Sequence, residues 1–309
     1  MQNPPLGGFF IYICCKYFNM RFIITTGFIC IVSLLSAQLP SVDIYYGKLG
    51  QANGIWSLSD MKNITARVGY DNQPSFSTDG GTIYYTSIQD SFQADIYTYV
   101  LSTGVTTQLT NTLESEYSPV VLLNGKGFSV VRVEKDSTQR MYAFKNDGSK
   151  PKVMMDKIDS VGYYCSIADK QYAFFMVTDT PTLVLADAKK QTTKVIDNNI
   201  GRCIKVIPGE QAISYIVKNS DKEYMLKRFD LTTQTSSLIT MLPGVSEDFI
   251  WTANGDILMA RDNQIWMFSY KAEKKQWSRI ITIKELKGKK IYRLALAADG
   301  IGFAFVADE

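Results

Sequence analysis

A block of four short strand-like segments that recurs along the chain constrains its fold more than any other feature. Adding 45 to the positions of Asp71, Pro74, Asp79 and Gly80 reaches Glu116, Pro119, Asn124 and Gly125. In the best-preserved copy, residues 70–110, the run Ile83-Tyr84-Tyr85-Thr86 has the β-branched and aromatic residues that favour a strand. One such sheet cannot bury both of its faces, so copies must pack on one another.

The turn between the first two segments allows the copies to be counted. Asx-Gly pairs suit such turns because both residues tolerate positive φ. The turn is found at six places, which are Asp79-Gly80, Asn124-Gly125, Asp169-Lys170, Pro208-Gly209, Asn254-Gly255 and Asp299-Gly300. The sequence therefore predicts six four-stranded units.

The two ends of the chain complete each other. Residues 42–49 and 55–65 match the third and fourth strands of a unit, whereas residues 293–298 and 302–307 match the first and second. Pairing them makes a sixth sheet and removes two open edges. We therefore predict an all-β fold over residues 38–309, a six-bladed β-propeller of four-stranded antiparallel sheets, closed by two C-terminal plus two N-terminal strands.

Composition excludes several kinds of chemistry. The 309 residues contain no histidine, which rules out Ser-His-Asp and Cys-His catalysis and removes the commonest zinc ligand. Cys165 and Cys203 are not in a Cys-x-x-Cys pair, and the sequence leaves open whether they are buried thiols or a disulfide. A net charge of +3 is too weak to indicate nucleic acid. We expect no cofactor and no metal.

The N-terminal region, residues 1–37, reads as an extension followed by a signal peptide. Arg21 precedes an apolar run from Phe22 to Leu35, and Ser36-Ala37 offers a small-residue cleavage site. The run is short for a membrane span, although a retained anchor is the alternative. We expect an exported protein, periplasmic or secreted, that meets a membrane only through this signal and is a monomer.

The unit resembles the TolB-like, WD40-like β-propeller repeat of exported bacterial proteins. The residues that carry the resemblance are Gln73-Pro74-Ser75-Phe76-Ser77-Thr78-Asp79-Gly80, Asp95-Ile96-Tyr97 and Gln108-Leu109-Thr110. The resemblance is sharp over residues 70–150. It implies an exported propeller that serves as a binding platform for a protein or ligand, and it implies no reaction.

Candidate site residues lie in the loops that lead into each first strand, because these loops open onto one end of a propeller's channel. Acidic, aromatic and arginine side chains recur there: Tyr70, Asp71, Glu116, Tyr117, Tyr163, Arg202, Glu247, Asp248, Trp251 and Arg293. Asp71 and Glu116 keep the repeat spacing, which favours a structural role. The later charged residues break the repeat, so binding and structural roles are both open for them.

Two functions fit these residues. The first is a non-catalytic binding or scaffolding module that recognises a protein, peptide or glycan through aromatic faces and carboxylates. The alternative is a carbohydrate-active hydrolase that uses carboxylates such as Glu116, Glu247 and Asp248. A sialidase-like box at residues 77–84 lies between first and second strands, whereas sialidase boxes join third and fourth strands, and so it indicates a turn.

Overall fold

The computed structural model describes residues 40–89 and 93–309, which form 24 β-strands and one 3₁₀ turn, Lys284–Leu286. The region predicted as extension and signal peptide, residues 1–37, lies outside the described residues. Within the described ranges, no helix is long and apolar enough to cross a membrane. The predicted all-β class is confirmed.

The strands follow one another along the chain with short connections. The first twelve are β1 (Val42–Ala52), β2 (Ile55–Asn63), β3 (Tyr70–Phe76), β4 (Thr82–Ile88), β5 (Asp95–Val100), β6 (Val105–Gln108), β7 (Ser115–Val121), β8 (Phe128–Val133), β9 (Gln139–Phe144), β10 (Lys152–Val153), β11 (Val161–Ala168) and β12 (Gln171–Met176). The second twelve are β13 (Thr182–Asp187), β14 (Thr192–Asn198), β15 (Ile200–Val206), β16 (Ala212–Ser220), β17 (Glu223–Asp230), β18 (Ser236–Met241), β19 (Phe249–Trp251), β20 (Asp256–Arg261), β21 (Gln264–Ser269), β22 (Trp277–Thr282), β23 (Ile291–Leu296) and β24 (Gly302–Asp308).

These strands pair in antiparallel groups of four. Unit two is β3–β6, unit three β7–β10, unit four β11–β14, unit five β15–β18 and unit six β19–β22, each paired in chain order. Unit one joins the two ends of the described chain in the order β23, β24, β1, β2. One parallel pair, Val42 with Tyr70, links unit one to unit two.

The pairing inside unit one is extensive. Strand β24 pairs with β1 from Val42 opposite Asp308 to Lys48 opposite Gly302. On this pair Tyr45 stacks on Phe305 with ring centroids 5.3 Å apart. Strands β1 and β24 are therefore neighbours in one sheet, and the edges along which they pair are not open.

The core of the described chain is a series of clusters between successive units. Units one and two share Val42, Ile83 and Val306, and units two and three share Ile96 and Phe128. Later interfaces are built in the same way, and the series returns from unit six to unit one through Leu258, Phe303 and Phe305. Each sheet thus buries one face against the unit before it and the other against the unit after it.

The turns that revealed the repeat have the predicted backbone. The second residue of each has a positive φ: Gly80, Gly125, Lys170, Gly209, Gly255 and Gly300. In the best-preserved copy, the Ser77 hydroxyl donates to the Asp79 carboxylate over 2.5 Å, and the Gly81 N–H donates to it over 3.0 Å. The sialidase-like box is thus a self-contained turn.

Cys165 and Cys203 lie on β11 and β15, the first strands of units four and five, and both are free thiols. Burial raises the pKa of Cys165, and it raises that of Cys203 to about 11. Because the thiolate is the reactive form, both are poor nucleophiles at neutral pH.

Candidate functional site: a channel lined by the first strands

The first strand of every unit contributes to one cavity of about 590 Å³. Each first strand is hydrogen-bonded to the second strand of its own unit and has its other edge unpaired. The exception is β3, whose Tyr70 also pairs with Val42 of β1. The lining runs from Tyr163, Arg202 and Arg293 near the strand starts to Leu123 and Pro208 near the turns. The cavity is therefore a channel with a polar end at the strand starts and an apolar mouth at the turns.

Every unit has at least one of the ten predicted site residues at or beside the start of its first strand. We give the name ring to six of them, one from each unit: Arg293, Tyr70, Tyr117, Tyr163, Arg202 and Asp248, from units one to six respectively. Tyr163 and Asp248 contact Arg293 directly, and Arg202 is joined to it through Asp248. Burial raises the pKa of Tyr70, and the charges of Arg293 and Arg202 oppose that rise, which places Tyr70 within their field. Tyr117 and Tyr163 also influence the pKa of Tyr70, and both raise it.

The strongest interaction in the ring is the buried ion pair between Arg202 and Asp248. The Arg202 Nε donates to Asp248 Oδ2 over 2.9 Å, and a second guanidinium nitrogen donates to the same oxygen. Both residues are 8% exposed. Burial alone would raise the pKa of Asp248, but the guanidinium groups of Arg202 and Arg293 outweigh it and hold that pKa below its usual value of 3.8. Asp248 is thus a carboxylate at neutral pH.

A second interaction crosses the channel. A guanidinium nitrogen of Arg293 donates to the Tyr163 hydroxyl over 3.0 Å, and the guanidinium carbon lies 5.0 Å from the centre of the Tyr163 ring. These residues belong to units one and four, which have two units between them in either direction along the series. The Arg293–Tyr163 bridge therefore spans the channel at its polar end.

Glu247 lies beside the ring and faces a second cavity of about 480 Å³ on the same end of the molecule. Its carboxylate pairs with the Lys218 ammonium over 2.5 Å and accepts the backbone N–H of Arg202 over 3.1 Å. Arg202 lines both cavities. Glu247 thus fixes the backbone that carries Arg202.

Asp71 and Glu116 are fully buried and each is paired with an arginine. Arg67 donates to Asp71 over 2.7 Å, and Arg132 Nε donates to Glu116 over 3.1 Å. Burial raises the pKa of both carboxyl groups. Neither residue lines the channel. Asp71 and Glu116 therefore have a structural role, in which each anchors its first strand to a neighbouring arginine.

Trp251 lines the channel but is largely enclosed by the cluster between units five and six. Its indole N–H donates to the Ser214 hydroxyl over 2.8 Å, and its ring meets Tyr270 edge-on. Only 9% of the residue is exposed, so little of its face is open to a ligand.

Two polar residues of the channel wall, Lys205 and Gln73, are not among the residues predicted from the sequence. Lys205 lies on β15, three residues after Arg202, in a strand whose other residues are mostly apolar. Gln73 has φ 61° and its side-chain oxygen accepts the Ser118 N–H over 2.6 Å, joining units two and three. The repeated X-Pro pairs at Gln73-Pro74 and Ser118-Pro119 are a signal that could have identified this junction.

The pKa of Asp248 gives a direct test of the ring. A carboxyl titration followed by ¹³C NMR is expected to show Asp248 losing its proton below pH 3.8, and the Arg293→Gln variant is expected to move its pKa upward. Because the folded pKa is depressed, this group's contribution to stability is present above the unfolded pKa and is lost as pH falls through the folded pKa. A pKa at or above 3.8 in the unmodified protein would contradict the described pairing.

Within residues 40–89 and 93–309, no group of three or more Cys, Asp or Glu side chains could hold a metal ion. The channel's polar groups are instead two arginines, a lysine, one carboxylate, the Gln73 amide, tyrosines and hydroxyls. Such a set can bind by charge, hydrogen bonding and aromatic contact.

No protein-family model matches the chain. No curated protein matches its sequence either.

Solved structures do match the fold. A putative TolB from Agrobacterium tumefaciens superposes with a TM-score of 0.65 at 11% identity over 88% of this chain and 99% of that one. A gluconolactonase from Xanthomonas campestris gives 0.60 at 8% identity over 89% and 99%. An oligogalacturonate lyase in complex with manganese gives 0.56 at 12% identity over 86% and 90%. At these identities the similarity concerns fold, and the fold hosts unrelated functions. The chain has the TolB-like β-propeller fold.

Proposed function

We propose that this protein is an exported, non-catalytic binding module that receives a protein, peptide or glycan partner in the channel. The observation that carries the proposal is the polar end of the cavity of about 590 Å³, where four ring residues from four different units line the wall: Tyr163, Arg202, Asp248 and Arg293. That volume lies in the range of ligand pockets, roughly 300–1,000 Å³.

The state of the carboxylates favours binding over glycoside hydrolysis. A hydrolase needs one carboxyl group that keeps its proton and a second that is free to act on the substrate. Asp248 and Glu247 are each held by a cation, and the pKa of Asp248 is lowered. Asp71 and Glu116 have raised pKa values, but they are fully buried and paired with arginines.

Location outside the cytoplasm rests on two supports. The N-terminal sequence has the charge, apolar run and small residues of an export signal. The fold is one that TolB proteins share. We propose a periplasmic or secreted protein on these grounds.

The first test asks whether the channel captures a partner. The immobilised protein is exposed to a cell-envelope fraction, and bound components are compared with those of Tyr163→Ala and of Lys227→Gln, a control in an ion pair with Asp197 outside the ring. We expect a component that the first variant loses and the second keeps. Equal capture by all three proteins would count against the channel.

A parallel assay addresses the hydrolase alternative. Envelope polysaccharides are incubated with the protein, and new reducing ends are measured. We expect none above background. Reducing ends that disappear in Glu247→Gln or Asp248→Asn would establish the hydrolase instead.

A further inference from the structure

The channel carries more positive charge than its own carboxylate can neutralise. Its charged lining residues are Arg202, Lys205, Arg293 and Asp248. Asp248 accepts two hydrogen bonds from Arg202 through a single oxygen. Two cations therefore remain incompletely paired inside the channel: Arg293, which shares Asp248 with Arg202 at 3.6 Å, and Lys205, which has no ion pair among the described residues.

Arg293 is the first of these cations. One of its guanidinium nitrogens bonds the Tyr163 hydroxyl, and another lies 3.6 Å from Asp248 Oδ1, beyond hydrogen-bond length. A guanidinium has five N–H donors in a planar fork that matches a carboxylate. Most of that capacity is unused by the described residues, and the side chain is 12% exposed.

Lys205 is the second cation. Among the described residues no carboxylate lies within 4 Å of its ammonium group, although its charge reaches Asp248 and the thiols of Cys165 and Cys203. The residue is half-buried on the channel wall. A partly desolvated cation without a counter-ion attracts an anion more strongly than an exposed one does.

The shape of the channel restricts the direction from which an anionic ligand can enter. Its mouth is lined by apolar side chains that include Phe76, Leu123 and Leu296. Its polar end is spanned by the Arg293–Tyr163 bridge. A polymer chain that enters at the mouth cannot pass the bridge without breaking it. One terminus of that chain must therefore enter first, and this terminus reaches Arg293 and Lys205.

The walls favour a peptide over a sugar. The first strands pair within their units on one side only, which leaves backbone N–H and C=O groups on their other edge. An extended peptide can use such groups, as in recognition by strand addition. Sugar binding by stacking would need an open aromatic face, and the indole of Trp251 is largely enclosed.

We propose that the channel captures the C-terminal carboxylate of an extended peptide, with Arg293 and Lys205 as its charge partners. This inference rests on the proposed function, since it takes the channel as the binding site. It adds the chemical group that is recognised, the direction in which the peptide enters and the two side chains that recognise it.

The probe is a library of N-acetylated random hexapeptides, made once with free C-terminal carboxylates and once as C-terminal amides. Both are passed over the immobilised protein, and retained peptides are quantified by mass spectrometry. We expect free acids to be retained over amides by about 10-fold or more, the range of a hydrogen bond to a charged group. Retention should weaken with added salt.

Variants locate the effect. Arg293→Gln and Lys205→Gln should each reduce retention of the free acids about 10-fold or more. Arg140→Gln is the matched control, because Arg140 pairs with Glu134 away from the channel. Lys205 has no ion pair to lose, so its variant should keep the unmodified thermal melt, and it tests the site even if Arg293→Gln folds poorly.

The outcomes separate this inference from the proposed function. Equal retention of acids and amides, lost in Tyr163→Ala, would overturn the carboxylate while leaving channel binding intact. Retention of uronic acid oligosaccharides in place of peptides would also overturn it, since the anion would then belong to a glycan. If neither probe is retained by any of the proteins, the carboxylate proposal fails, and capture from the envelope fraction decides the proposed function by itself.

Discussion

An Arg202→Met variant is expected to lose about 3–5 kcal/mol of unfolding free energy, because it leaves a buried carboxylate without its main partner. Asp248 is 8% exposed and takes two hydrogen bonds from Arg202. Arg293 stands 3.6 Å away and replaces only part of that interaction. Urea denaturation followed by circular dichroism measures the change.

The control for this prediction is Arg228→Met. Arg228 bonds Glu210 and Asp230 over 2.8 and 2.9 Å, but all three side chains are 20% exposed or more. Such a pair contributes about 0–1 kcal/mol. Adding Asp248→Asn to Arg202→Met should restore part of the loss. Equal losses for the two arginine variants would mean that the ring does not bury its ion pair.

Phe305→Ala is expected to cost about 3–5 kcal/mol, the usual range for removal of a buried aromatic side chain. Phe305 is fully buried, stacks on Tyr45 across the β1–β24 pair, and belongs to the cluster between units six and one. Because β24 holds β1, the N-terminal strand should also loosen. Amide hydrogen exchange should therefore accelerate in β1 and β24 together.

Leu238→Ala on the outer strand β18 is the control, since Leu238 is 57% exposed. Its effect should remain within about 0.5 kcal/mol. If Phe305→Ala accelerated exchange in β24 and left β1 protected, the two ends of the chain would not depend on each other as the strand pairing requires.

The repeat predicted the fold because its signals are local. Asp79-Gly80 and its five counterparts mark turns through backbone conformation, which a dipeptide largely determines. The composite unit followed from counting which strands each end lacked. That the C-terminal strands pair with the N-terminal ones followed from the closing of two open edges, whereas the register that sets Val42 opposite Asp308 did not.

The positions of the candidate residues in the fold were predictable, and their contacts were less so. Tyr163, Arg202 and Arg293 are each the third residue of a first strand, so topology alone brings them to one end of the channel. The pairing of cations with carboxylates depends on the directions of side chains from three or four units. These directions cannot be read from a sequence. Lys205 was missed for that reason, and the Arg293–Tyr163 bridge joins residues 130 positions apart.

Site-specific photo-crosslinking in the cell tests whether a partner binds in the channel. A photoreactive residue replaces Leu123, 66% exposed at the channel mouth, or Val195, 60% exposed on the outer strand β14. Binding in the channel predicts adducts from position 123 and none above background from position 195. Adducts from position 195 with none from position 123 would contradict it and would place the partner on the outer rim.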